Sequence, residues 1–151
     1  MNEKHKKIAE DLYKITLFAL TETGKEYPVF CLIKDNKAMP VLMPPGEEID
    51  VSNYILMSMD LARQYDVDAL ILVAGMWSVT SPIEEIDPRV RPSEHPNREH
   101  YLNLIYMTAD GSEMESIAGK IETDLAGTMF VRDHDWMDST MRLDWLQPWR
   151  Q

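Results

Sequence analysis

Ala69-Leu70-Ile71-Leu72-Val73-Ala74 holds six successive side chains without a charge or a hydrogen-bonding group. A run this short is far below the ~20 residues that span a bilayer, and strands sealed from water on both faces read as continuous apolar runs. The segment therefore predicts a central strand of a sheet. Upstream of it, Ile55, Met59 and Ala62 share one side of a predicted helix over about 51–65, with Leu56 beside them and Asp50 or Ser52 as its cap. Pro44-Pro45-Gly46 separates that helix from a predicted hairpin, Val29 to Ile33 and Lys37 to Met43, turned at Asp35-Asn36. Pro40 cannot donate to a ladder, which places the second hairpin strand at an edge. Ile8, Leu12, Ile15 and Ala19 recur at helical spacing within a helix over 3–23 that stops at Gly24. Leu17, Phe18 and Leu20 widen the apolar surface of its second half, which predicts contact with more than one element or with a second chain.

Downstream the composition changes. From Ser78 to His100 the chain carries Pro82, Pro88, Pro92 and Pro96 among acids and arginines, which predicts one long loop over 78–100. Loops of this length are either functional or without order of their own. Strand patterning resumes over Tyr101 to Thr108, turns at Asp110-Gly111, and continues over Glu113 to Glu122 and Thr128 to Val131. Met137, Met141 and Trp145 at spacings of four predict a short last helix ended by Pro148, with Asp135 and Asp138 near its N-terminus. The sum is a single α+β domain over 1–151: one antiparallel or mixed sheet packed by helices, in the order α-β-β-α-β-(long loop)-β-β-β-α. Profilin-like and roadblock-like domains have a similar element order, a likeness of fold that carries no function.

The 151 residues include 26 Asp and Glu against 15 Lys and Arg, a formal charge of −11. That balance repels a phosphate backbone and favours a basic protein partner over direct contact with nucleic acid. One cysteine, Cys31, inside an apolar run excludes an internal disulfide and a cysteine-rich zinc site. The reading is a cytoplasmic protein, with no membrane span and no signal-peptide core. No Gly-rich phosphate loop and no nucleophile elbow can be written, so no cofactor is implied and no catalytic set is recognisable.

Two clusters have metal-ligating chemistry. Glu94, His95, Arg98, Glu99 and His100 lie together in the loop, and Asp133, His134, Asp135 and Asp138 precede the tail. His95, His100 and His134 with Asp135 would supply a divalent cation with nitrogen and oxygen ligands. The simpler account of the first cluster is local pairing in a solvent-facing loop, and of the second a helix cap. Tryptophan is enriched at binding hot spots, which singles out Trp77 with His95 and Arg98 of the loop, and Trp145 and Trp149 of the tail, as candidate partner contacts.

Residues 74–111, about a quarter of the chain, carry Gly75-Met76-Trp77, then Arg91-Pro92-Ser93-Glu94-His95-Pro96-Asn97-Arg98-Glu99, then a strand ending at Asp110-Gly111. This pattern resembles one found in small phage and bacterial proteins of no assigned activity, in which the tryptophan more often follows Glu-Ala. The resemblance implies a phage or bacterial accessory protein and no chemistry. Composition and motifs together predict a non-enzymatic, homo-oligomeric protein-binding module. The alternatives are a metal-dependent hydrolase or metal-binding domain, and an acidic nucleic-acid mimic that inhibits a host enzyme.

Overall fold

The computed structural model describes residues 1–25, 27–42, 51–79, 87, 89–91, 94–138 and 146–150. In chain order the elements are α1 (Glu3–Thr23), β1 (Val29–Lys34), β2 (Lys37–Val41), α2 (Val51–Gln64), β3 (Ala69–Val79), β4 (Arg98–Thr108), β5 (Met114–Thr123) and β6 (Met129–Asp138). The six strands form one sheet in the order β2-β1-β3-β4-β5-β6, and every neighbouring pair is antiparallel.

Alternation along the strands divides the core in two. Cys31, Ile33, Ala69, Ile71, Val73, Leu102, Leu104 and Tyr106 meet Ala9 and Tyr13 of α1 on one face. Phe30, Leu32, Leu70, Leu72, Ile105 and Met107 meet Tyr54, Met59 and Ala62 of α2 on the other. Covering both faces is what the unbroken apolar run of β3 requires, and its central position follows.

Local chemistry sets the ends of these elements. The Asn2 side chain accepts from the His5 N–H to open α1, and Gly24 closes it at φ 70° with its N–H on the Leu20 carbonyl. Asp35 and Asn36 adopt φ of 51° and 60°, as a two-residue hairpin turn demands. The Tyr54 hydroxyl is inserted at the far end of that hairpin: it accepts from the Phe30 N–H at 2.9 Å and donates to the Val41 carbonyl. It thereby ties α2 to both strands.

The structure departs from the sequence reading at two places. Ser78 and Val79 belong to β3, and Arg98 to His100 belong to β4, so both ends of the predicted 78–100 loop are strand. Charged residues on a projecting ribbon show no apolar alternation, which hid them. The expected strand Thr128 to Val131 is the start of the ten-residue β6, and Asp135 and Asp138 pair with Ala118 and Glu115 in place of capping a helix. Here a β-bulge breaks the period of two. Residues 118 and 120 of β5 face 135 and 132 of β6, so one extra residue enters β6 at Asp133-His134. The rest of the predicted last helix, with Trp145, lies outside the described residues.

Replacing Tyr54 by Phe strands the Phe30 N–H and the Val41 carbonyl unless the strands close over the gap. The expected cost is ~1–3 kcal/mol of unfolding free energy, read from urea unfolding curves, with unchanged helical circular dichroism.

Candidate functional site

The sheet divides at one end. β4 pairs with β5 from Met107 and Met114 to Tyr101 and Lys120, and no further. Beyond that point β3 and β4 continue together through Trp77–His100, Ser78–Glu99 and Val79–Arg98. β5 and β6 continue through Ile121–Val131, Glu122–Phe130 and Thr123–Met129. Two ribbons, each three residue pairs long, thus diverge from a common base, and among the described residues β1 pairs with β3 no further than Val73. Isolated two-stranded ribbons are marginal in water, so such an end has reason to be used or covered.

Polar contacts brace the base of this fork. Glu99 accepts from the Tyr101 hydroxyl at 2.7 Å and sits 3.5 Å from the Lys120 ammonium across the β4–β5 junction. The Tyr101 hydrogen bond and then the Lys120 charge hold the Glu99 carboxyl below the ordinary carboxylate range. On the second ribbon Arg132 pairs with Glu122 at 2.8 Å, and its guanidinium lies over the Phe130 ring at 5.8 Å.

Of the residues singled out in the sequence, the first ribbon and its turn collect four. Trp77 stands opposite His100, with its side chain outside the described residues, and Arg98 opens β4. The His95 carbonyl accepts from the Arg98 N–H at 3.2 Å and from its guanidinium at 3.3 Å. His95 Nδ1 accepts from the Asn97 N–H at 3.0 Å. This turn is closed from within.

The remaining candidates are elsewhere. His134 and Asp135 belong to β6, at the bulge, with side chains outside the described residues, and β5 runs between them and His100. Among the described residues no group of three or more His, Cys, Asp or Glu side chains is placed to hold a metal ion. Trp149 lies at the opposite end of β4. Its indole N–H donates to the Val67 carbonyl at 2.8 Å, and its backbone N–H donates to the Ala109 carbonyl. Arg150 beside it contacts Asp66 at 2.6 Å and Asp68 at 3.1 Å.

Two hollows are lined by described residues. An apolar groove of about 270 Å³ at the open end of the β1–β2 hairpin is lined by Tyr27, Pro28, Val41, Leu42 and Tyr54, among others, with Tyr27 52% and Leu42 83% exposed. At the opposite end a polar cleft of about 380 Å³ is lined by Asp68, Thr108, Asp110, Ser112, Glu113 and Arg150. Its groups are engaged as braces. Asp68 accepts from the Asp35 N–H at 2.8 Å and from Arg150, and both lower its pKa. Asp110 accepts from the Ser112 N–H and hydroxyl and from Thr108, which together hold its carboxyl at about 2. The cleft reads as a structural seal.

The sequence reading missed Tyr101, Lys120, Glu122 and Arg132. Glu99 and Tyr101 are two apart on a strand and so share a face, a signal present in the sequence. Lys120 joins them only through the β4–β5 register. Comparison of the chain with protein-family models, with curated proteins and with solved structures finds no match.

His5 supplies a pH test of the braced end. It is 6% exposed, its Nδ1 lies 2.8 Å from the Tyr106 hydroxyl, and burial above all lowers its pKa from 6.5 despite the opposing pull of Asp68 and Asn36. A depressed folded pKa gives stability that is complete above the unfolded value and is lost as pH falls through the folded one. The urea midpoint is therefore expected to drop on acidification below pH ~6.5. His5→Gln is expected to show a smaller drop over the same interval.

Proposed function

We propose that the protein is a non-enzymatic binding module that takes an extended, basic segment of a partner protein at the forked end of its sheet. One observation carries this reading: β4 and β5 separate after Tyr101 and Lys120, while each keeps its other neighbour for three further pairs. The separation leaves the facing edges of β4 and β5 outside each other's ladder beyond Tyr101 and Lys120. Main-chain groups at such edges give affinity to an added strand, and pockets nearby give it specificity.

Charge narrows the partner. With a net −11 over the chain, a basic segment is drawn in and an acidic one repelled. Glu99 and Glu122 mark the two ribbons, and each already accepts a cation from its own chain. A partner's lysine or arginine would join those pairs at the rim.

A random-peptide library panned against the purified protein tests the proposal. The expected outcome is an enriched set of sequences rich in lysine or arginine, bound more weakly as salt is raised. The double variant Glu99→Lys, Glu122→Lys should bind them about tenfold or more weakly, a loss of ~1.4 kcal/mol, with its melting temperature as the check on folding. An absence of enriched sequences, or selected peptides that bind a folded double variant equally well, would overturn the reading.

A further inference from the structure

We propose that a second copy of this chain docks on the outer face of α1, with the two helices antiparallel about a twofold axis at Phe18. The inference is independent of the fork and of what the fork binds. One side of α1 is committed to the sheet: Ala9, Tyr13, Thr16 and Leu20 are buried beneath it. On the opposite side Ile15 is 65% and Phe18 68% exposed. These two are three positions apart and form one apolar stripe on the helix surface. Aromatic residues, Phe among them, are enriched at the cores of protein interfaces.

The charges around the stripe choose the occupant and its direction. Lys14 and Glu22 are exposed and flank Ile15 and Phe18 along the helix. In an isologous contact the same patch must complement itself. If two copies of α1 ran parallel, each residue would face its own copy. Lys14 would then meet the partner's Lys14, and Glu22 the partner's Glu22, so like charges would oppose at every step. Antiparallel helices centred on Phe18 bring residues with equal offsets on either side to the same level. Phe18 then meets the partner's Phe18, and Ile15 meets the partner's Thr21. Lys14, four residues before the centre, meets the partner's Glu22, four after it.

Symmetry doubles the Lys14–Glu22 pair, so one arrangement gives two opposite-charge contacts around an apolar centre. The apolar excess in the second half of α1 thus has a use that the sheet alone does not supply. The rim pairs are exposed, and their role is to fix direction and register; the Phe18 and Ile15 contacts supply the affinity.

Sedimentation equilibrium of the full chain at high micromolar concentration tests this. The wild type should be a dimer, and Phe18→Glu a monomer with an unchanged far-ultraviolet spectrum, since Phe18 is not in the core. Lys14→Glu alone and Glu22→Lys alone each set like charges against each other at both symmetry-related contacts and should weaken the dimer about tenfold or more. The combined Lys14→Glu, Glu22→Lys protein restores opposite charges and should recover the wild-type dimer. A monomeric wild type, a dimer indifferent to Phe18→Glu, or a charge-exchanged protein no stronger than the single variants would each overturn the proposal.

Discussion

Ala69 to Val73 are at most 2% exposed, in a strand whose successive side chains point to opposite faces. Each fully buried Leu, Ile or Val contributes roughly 1.5–3 kcal/mol only if an apolar partner waits on its side. This one strand therefore demands a helix above and a helix below. α1 meets the residues in register with Ala69, Ile71 and Val73, and α2 meets those in register with Leu70 and Leu72. The hairpin β1–β2 and the ladder β4–β5–β6 then extend the sheet to either side. Leu146 and Trp149, after the last strand, close the α2 side of the core.

Much of this architecture is written in turns. Asp35 and Asn36 lie at the symmetry point of the β1–β2 register, in which Lys34 faces Lys37 and Phe30 faces Val41. Asp110 and Gly111 do the same for β4–β5, in which Met107 faces Met114 and Tyr101 faces Lys120. Short turns fix register because each residue away from the turn on one strand must answer one on the other. From Asp110-Gly111 alone, Lys120 could have been placed beside Tyr101 and hence near Glu99.

The forked end was less legible for physical reasons. The β3–β4 connection is long, and no short turn sets its register, so Ser78, Val79 and Arg98 to His100 show strand pairing only in three dimensions. In β6 the bulge at Asp133-His134 shifts the alternation by one, which made Met129–Asp138 look like a short strand and a helix start. A ribbon that projects past its neighbours also lacks the apolar periodicity by which strands are recognised. Trp77, His95, Arg98 and His100 stand out in the sequence as residue types, and only the fold gathers them on one ribbon and its turn. Trp149 stands out in the same way, and its indole is tied to Val67 within the chain.

β4 and β5 separate after Tyr101 and Lys120, and a continuous ladder would leave no fork. Interstrand backbone nuclear Overhauser effects in the uniformly labelled protein measure the separation directly. The predicted result is a β4–β5 ladder of contacts ending at Tyr101 and Lys120, with contacts persisting between Trp77 and His100 and between Ile121 and Val131. Backbone contacts joining His100 to Ile121 or Glu99 to Glu122 would show one unbroken sheet and contradict it.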